Sequence, residues 1–395
     1  MNQTASSSML DNIKGIILVL AQALPIMAVV SLFPAMPNLM QQFGDVPNAA
    51  YLVPMIITIP SFCIALLAPA AGWLVDKVGR RPVLNASLAL YAVSGLAPLV
   101  LNDLIPIIAS RALLGVAEAG IVTVASTLIA DYFGEQRYRW LALQSGIGAV
   151  AGTALIALGG WLADFSWRGP FSIYVFAIPL FVVSLIFLNE PPKQSQQDER
   201  TAIGKFPWSV ALSVGAVSLI SSVLYYSEPT HIAAIFKERG VGSSTEIGLI
   251  QALTSLAYIA GAFLYKLLSE RPVGVLLAVA GGLIAIGMVG IGLSSTTKEA
   301  AFWALFQQLG GGMVIPSLIG WAQASVPFEQ RGRAMGIWAT FFFTGTFFCP
   351  TIVTFTTGMS GSLSTTFWWL GLLTGALAAV FLVAGGKPRA AVAAH

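Results

Sequence analysis

The stretch that decides the fold is residues 72–84, GWLVDKVGRRPVL, in which four charged side chains lie between two long apolar runs. The flanking runs cover about residues 50–75 and 82–101. Each is long enough for a helix across the hydrocarbon core of a bilayer, which takes about 20 residues. A short charged junction between two such runs is typical of a loop at the membrane surface. At this point the sequence therefore predicts two membrane helices.

The rest of the chain has the same character. Of its 395 residues, 56% are hydrophobic and 9% charged, whereas soluble domains carry about 25% charge. The apolar runs do not alternate as barrel strands would. We therefore expect an all-α membrane protein with twelve transmembrane helices, its surface covered mostly by the lipid bilayer. The runs are 14–39, 50–75, 82–101, 104–130, 140–163, 169–188, 207–235, 245–268, 272–293, 299–325, 333–357 and 364–384.

Several partners and cofactors are excluded. A net charge of +3 is too small for a nucleic-acid partner. Cys63 and Cys349 both lie in apolar runs, without metal-binding or disulfide spacing. The chain has no phosphate-binding P-loop, no HExxH and no GxSxG motif. We expect neither an enzyme nor a bound cofactor.

Basic residues set the orientation. With the N-terminus in the cytoplasm, 15 of the 20 Lys and Arg residues fall on the inner side and four on the outer side, and Arg111 lies within a span. This bias follows the positive-inside rule. It predicts both termini in the cytoplasm, in a bacterial inner membrane.

The two halves of the chain repeat. GEQRYR at 134–139 matches FEQRGR at 328–333, and AGWLVDK at 71–77 matches AGAFLYK at 260–266. We predict six-helix bundles at 1–188 and 207–395, related by a pseudo-two-fold axis and joined by a cytoplasmic linker at 189–206. Such a duplication is typical of transporters whose substrate binds between the halves near the midplane. A purely architectural repeat is the alternative.

Three motifs resemble the major facilitator superfamily. The loop Gly72–Leu84 is similar to its G-x-L-a-D-r-x-G-r-k motif, Arg111–Gly115 to its span-four motif, and Ser166–Phe171 to its usual start of span six. The resemblance implies alternating access, with Asp76 facing the N-terminus of span eleven and Arg80 reaching Asp131. The implied cytoplasmic gate comprises Gly72, Asp76, Gly79, Arg80, Arg81 and Asp131. The alternative is that these charges lie in a loop exposed to water and only set the orientation of the chain.

Arg111 and Glu118 are charges at membrane depth, which cost about 3 kcal/mol each on insertion scales. They lie seven residues apart, on one face of span four. Arg111, the family's span-four arginine, cannot deprotonate, whereas Glu118 can. We interpret Glu118 as a proton carrier and Arg111 as a substrate-binding residue, both facing one aqueous cavity. A structural polar network between helices is the alternative.

Glu228, in the sequence YYSEPTH, is the second candidate for proton coupling. An acid beside aromatic rings suits a cationic or amphipathic ligand, although an acid at the lipid–water boundary would give the same pattern. In span ten we expect one of two adjacent glutamines to face the cavity, and in span eleven an aromatic wall. The substrate-binding candidates are Arg111, Tyr225, Tyr226, Gln307, Gln308, Trp338 and Phe341.

These features predict a secondary active transporter that moves a small amphipathic organic molecule, working as a monomer and exchanging protons. We favour proton-coupled efflux. Span five keeps the GxxxG spacing and terminal Gly-Gly of exporters but has Thr153 where exporters have proline. Proton-coupled uptake of an organic nutrient, siderophore or aromatic acid therefore stays open as the alternative.

Overall fold

The computed structural model describes residues 2–134, 137–191, 206–327 and 330–385. Within these ranges twelve helices are long and apolar enough to cross a membrane, and no strand occurs. The predicted all-α, twelve-span architecture is confirmed. We number the spans 1 to 12 in chain order.

The chain divides into two compact units, Met1–Lys205 and Phe206–His395. The N-terminal unit holds spans 1–6. Its helices are Asn2–Val30, Ala49–Val78, Arg80–Leu96, Leu104–Phe133, Arg137–Phe165 and, for span 6, a 3-10 stretch Gly169–Phe176 that continues as Ala177–Phe187. A short helix, Met36–Phe43, lies between spans 1 and 2.

The C-terminal unit holds spans 7–12. Its helices are Trp208–Glu238, Ser244–Leu268, Val273–Leu293, Thr297–Ala324, Arg331–Ser360 and Leu363–Gly385. Two of them begin with a clear polar cap. The Ser243 side chain accepts from Thr245 and Glu246 at the start of span 8, and Thr296 with Glu299 forms a capping box at span 10.

The predicted first run, 14–39, is broken in the structure. Span 1 ends at Val30, and a turn separates it from the short helix that begins at Met36. Pro34 and Pro37 explain the break, because proline cannot donate the backbone hydrogen bond that a continuing helix needs. The last residues of the apolar run therefore fold against the end of span 5, where Asn38 donates to the Ala163 carbonyl at 2.9 Å.

Most of the linker, and two residues of each copy of the repeated loop motif, fall outside the described residues. Residues 192–205 of the linker, 135–136 of the first motif and 328–329 of the second are not among them. The division into two six-helix bundles joined by a cytoplasmic linker therefore stays a prediction.

Candidate functional site

One face of span 4 carries Arg111, Gly115 and Glu118, spaced at three and four residues, and this face lies against span 2. A Cβ on Gly115 would lie 2.6 Å from Pro60 Cα and 2.7 Å from Cys63 Cβ. Because only glycine leaves room for so close an approach, the two helices are in contact here. The polar residues on either side of Gly115 are consequently enclosed.

Arg111 holds three helices together and is 0% exposed. Its Nε donates to the Ile56 carbonyl at 2.9 Å and its Nη2 to the Ala28 carbonyl at 3.1 Å. Pro60, four residues after Ile56, has no N–H, so the Ile56 carbonyl lacks its usual helical donor. Ala28 lies in the last turn of span 1, where carbonyls also lack helical partners. Arg111 supplies both missing donors.

Two aromatic rings complete the surroundings of Arg111. Its guanidinium carbon lies 4.9 Å from the ring centre of Tyr174 and 5.9 Å from that of Phe171, both in span 6. The Tyr174 hydroxyl also donates to the Ala28 carbonyl, at 3.0 Å. Arg111 is thus bound to protein groups through Nε and Nη2, whereas its Nη1 is buried without a hydrogen-bond partner among the described residues. These contacts are those of a polar network between helices, and a role of Arg111 in substrate binding stays a prediction.

Glu118 lies at the middle of span 4, 14 residues after Leu104 and 15 before Phe133. At 1.5 Å per residue this places it about 21 Å from either end of the helix. The side chain is 1% exposed, and Oε1 has no hydrogen-bond partner among the described residues. No Lys or Arg forms an ion pair with it there. A buried carboxyl without a cation is costly when ionised, so the site suits an acid that takes up a proton.

Glu228 in span 7 is also enclosed, at 1% exposure. Its Oε2 accepts from Gln308 Nε2 of span 10 at 2.6 Å. This burial argues against the alternative that placed the acid at the lipid–water boundary. The two acids thus differ: Glu228 has an amide partner, and Glu118 has none on Oε1.

Both predicted glutamines of span 10 contact span 7. Gln307 Nε2 donates to the Tyr225 carbonyl at 2.8 Å. Pro229, four residues further on, lacks the N–H that this carbonyl would otherwise accept. Gln251 of span 8 donates to the Pro229 carbonyl itself at 3.4 Å. Gln307 therefore replaces the backbone hydrogen bond that Pro229 removes, as Arg111 does beside Pro60. Gln251 adds a side-chain bond to the same turn.

Aromatic rings surround the same turn of span 7. The Tyr225 ring centre lies 4.9 Å from that of Tyr226 and 5.9 Å from that of Tyr258. Tyr226 is 6.2 Å from Phe342, which stacks on Trp338 at 5.3 Å. Tyr225 and Tyr226 lie in the same turn of span 7 as Glu228, and Trp338 is linked to Tyr226 through Phe342. Their part in substrate binding stays a prediction.

Phe341 is placed differently from its neighbour. A Cβ on Gly215 would lie 2.8 Å from Phe341 Cδ2, so this ring packs on the N-terminal part of span 7. Phe342, the middle one of the three phenylalanines expected in the aromatic wall, is the one that contacts Tyr226. Adjacent helix residues point about 100° apart, and a run of three phenylalanines gives no sign of which one turns inward.

Some of the residues predicted to form the gate contact one another. Arg80 Nε lies 2.8 Å from Asp131 Oδ2, the ion pair expected from the motif. Gly79 has φ +109°, which separates the helices of spans 2 and 3. Glu190 Oε1 and Oε2 accept from the backbone N–H groups of Arg80 and Arg81 at 2.7 and 2.8 Å. A carboxylate is stabilised at such a helix N-terminus.

Two gate residues lack described contacts. A Cβ on Gly72 would meet no described atom within 4 Å, so no neighbouring helix approaches this glycine closely. The side chain of Asp76 lies outside the described part of the chain. Its role opposite span 11 remains a prediction.

Sequence reasoning missed Gln251, Tyr258 and Glu190. Gln251 and Tyr258 stand seven residues apart in span 8, and this spacing on one helical face is the one signal that could have paired them. Glu190 lies at the start of the predicted linker, where an acid is unremarkable. Its contact with span 3 joins residues more than 100 positions apart.

Comparison with known proteins gives a consistent result. The family model for the Major Facilitator Superfamily matches residues 18–233 and again 209–394. The class E tetracycline resistance protein of Escherichia coli is 25% identical over 329 residues, covering 78% of this chain and 78% of that protein. The class D protein of Salmonella ordonez is 26% identical over 350 residues, covering 82% and 85%. Among solved structures, the D-xylose–proton symporter has a TM-score of 0.70 at 16% identity, covering 96% of this chain and 97% of that one.

Proposed function

The chain belongs to the Major Facilitator Superfamily, and we propose that it is a proton-coupled exporter of a small amphipathic organic molecule. Glu118 carries the proposal, because it is a buried carboxyl at the middle of span 4 with one oxygen unpartnered. Such a group can be protonated from one side of the membrane and deprotonated to the other as access alternates. Glu228 is the second acid that we assign to coupling.

Substrate contacts are assigned to the C-terminal unit. Gln308 donates to Glu228, Tyr225 and Tyr226 lie in the same turn of span 7, and Trp338 stacks on Phe342, which contacts Tyr226. Rings and amides offer apolar area and hydrogen bonds, which suit a molecule that is part aromatic and part polar. Arg111 is enclosed by its own helices, and Phe341 packs on Gly215, so we give both a supporting role.

The gate proposal rests on the Arg80–Asp131 ion pair. The pair joins spans 3 and 4 at one end of the N-terminal unit, and Glu190 fixes the adjoining helix start. A cluster of this kind biases the equilibrium between two access states without touching the substrate. With Asp76, we propose that it acts as the cytoplasmic latch.

The direction of transport is proposed from the relatives. Two proteins named for tetracycline resistance resemble most of the chain, and resistance by a transporter requires export. The fold does not decide this, since the D-xylose–proton symporter shares it. Thr153 in place of the exporter proline keeps proton-coupled uptake as the second candidate.

The proposal is tested by measuring the accumulation of tetracycline in inside-out membrane vesicles. An inwardly acidic vesicle containing the wild-type protein should accumulate tetracycline, and an uncoupler should abolish this. In vesicles with the Glu118→Gln variant, tetracycline accumulation should fall to the level of vesicles without the protein, because glutamine cannot exchange a proton. Counterflow of tetracycline without a gradient should persist in this variant.

The matched control is Glu246→Gln, which changes an exposed acid in the first turn of span 8. It should accumulate tetracycline as the wild type does. Gradient-driven accumulation by Glu118→Gln at the wild-type level would remove Glu118 from coupling. If tetracycline accumulated only in right-side-out vesicles in an acidic medium, this result would support uptake instead.

A further inference from the structure

Three consecutive glycines, Gly310, Gly311 and Gly312, lie in span 10 one turn after Gln307 and Gln308, and all three are buried. Adjacent residues of a helix point about 100° apart. The three glycines therefore face three different neighbours. The atoms that a Cβ would meet at each position show how closely another span approaches span 10.

Gly310 and Gly312 lie against the backbone of other spans. A Cβ on Gly310 would lie 2.5 Å from the Ala280 carbonyl oxygen of span 9. A Cβ on Gly312 would lie 2.0 Å from the Tyr258 carbonyl oxygen of span 8. Since a helical carbonyl cannot turn aside, a side chain at either position would push two helices apart. These two glycines hold the bundle together.

Gly311 lies against a side chain instead. The three atoms nearest to a Cβ on Gly311 all belong to the Tyr225 ring of span 7, at 2.3, 2.6 and 3.4 Å. Carbon atoms in ordinary contact are about 3.5–4 Å apart. A methyl group at this position would therefore displace the ring by more than about 1 Å. The ring can rotate about its side-chain bonds, so the ring would move and span 10 would stay in place.

The Tyr225 ring has an open side to which it can move. Its centre lies 4.9 Å from that of Tyr226 and 5.9 Å from that of Tyr258, yet Tyr225 is only half-buried. Its backbone is held, because Gln307 donates to its carbonyl at 2.8 Å. With the backbone held and one edge of the ring on Gly311, the residue at position 311 decides how far the ring stands out from span 10.

We propose that Gly311 is a specificity-determining residue, because it seats the Tyr225 ring against span 10 and so sets the position of the aromatic surface that the substrate contacts. The inference rests on the proposed function, since Tyr225 is one of the substrate contacts assigned there. A substrate with several fused rings lies across more of this surface than a substrate with one ring. It therefore depends more strongly on where the Tyr225 ring stands.

Two probes test this dependence: tetracycline, with four fused rings, and chloramphenicol, with one aromatic ring. Their affinities for the purified protein are measured by calorimetry at neutral pH. Gly311→Ala should weaken tetracycline about 10-fold or more and chloramphenicol less than about 3-fold, because a single methyl group in a pocket changes affinity by about 10- to 200-fold. The ratio of the two affinities is the readout.

Two further glycines provide controls. A Cβ on Gly282 of span 9 would meet no described atom within 4 Å, so Gly282→Ala should bind both probes as the wild type does. Gly310→Ala should lower the unfolding temperature, because it meets backbone, but it should keep the wild-type ratio. A loss of stability alone is thereby separated from a change in specificity.

Removal of the ring assigns the effect to Tyr225. In a Tyr225→Ala background the methyl group has room, so adding Gly311→Ala should change neither affinity further. If Gly311→Ala alone fails to fold, the double variant decides. Recovery of folding without the ring would support the contact, and continued failure would overturn it.

A wild-type ratio in Gly311→Ala would overturn the inference, and so would a changed ratio that persists in the Tyr225→Ala background. Selective weakening of tetracycline without proton-driven flux would reject coupled export and keep the role of Gly311. Proton-driven flux with an unchanged ratio would reject the role of Gly311 alone. If the wild type binds neither probe, both the substrate contact of Tyr225 and the role of Gly311 are rejected.

Discussion

At the scale of single residues, Arg111 shows how a charge is accommodated within a membrane span. A guanidinium has five N–H donors and cannot lose its charge. Here two of its nitrogens donate hydrogen bonds to backbone oxygens of spans 1 and 2. The sequence identifies such a residue by its depth in an apolar run. It does not identify the acceptors, because their availability depends on Pro60 and on the end of span 1.

We predict that Arg111→Met lowers stability more than it lowers substrate affinity. The Ile56 carbonyl would lose its donor, at a cost of about 1–3 kcal/mol, whereas the Ala28 carbonyl keeps the Tyr174 hydroxyl. Arg111→Lys should be intermediate, since one ammonium can replace one of the two bonds. Thermal unfolding of the purified protein measures the effect.

The control for this prediction is Arg271→Met, an exposed arginine between spans 8 and 9. It should unfold at the wild-type temperature. If Arg111→Met were as stable as the wild type yet bound tetracycline much more weakly, Arg111 would be a substrate ligand, as the sequence first indicated.

At the scale of helices, prolines in both units create openings for polar side chains. Pro60 frees the Ile56 carbonyl for Arg111, and Pro229 frees the Tyr225 carbonyl for Gln307. In each case a side chain from another span takes the place of the missing N–H. The polar groups of the candidate site are therefore anchored at the points where helices are interrupted.

A double-mutant cycle tests this link in span 7. Gln307→Leu should destabilise the protein by about 1–3 kcal/mol, because the Tyr225 carbonyl is left without a donor. In a Pro229→Ala background the alanine N–H can donate to that carbonyl. Gln307→Leu should therefore lower the free energy of unfolding by less in this background. The expected coupling is about 0.5–3 kcal/mol, measured from unfolding of the four proteins.

Gln323→Leu, an exposed glutamine near the end of span 10, provides the matched control in both backgrounds. Its effect should be small and independent of Pro229. Strictly additive effects of Gln307→Leu and Pro229→Ala would mean that the glutamine does not compensate for the proline.

At the scale of the whole molecule, the number and type of spans could be predicted from the sequence, since twelve apolar runs leave few other folds for a chain with 9% charge. The end of span 1 could not be predicted, because the run 14–39 stays apolar across the turn before Met36.

In the candidate site, Glu118 and Glu228 were found as rare acids among apolar residues. Gln251, Tyr258 and Glu190 were missed because polar or aromatic residues at such positions are common, and only their distant partners distinguish them.

The orientation of the chain is the prediction that belongs to this scale. We expect residue 195 of the linker to face the cytoplasm and residue 45, between spans 1 and 2, to face outward, since 15 of the 20 basic residues lie on the linker's side. Ser195→Cys and Asp45→Cys are treated with a membrane-impermeant maleimide. In intact cells Asp45→Cys alone should react, and in disrupted cells both should.

The wild-type protein supplies the background, because its two cysteines lie within spans and Cys349 is buried. Reaction of Ser195→Cys in intact cells would reverse the orientation. The Arg80–Asp131 cluster would then lie on the outer side and could not close the cytoplasmic end. The latch proposal thus depends on topology, whereas the assignment of Glu118 to the middle of span 4 holds in either orientation.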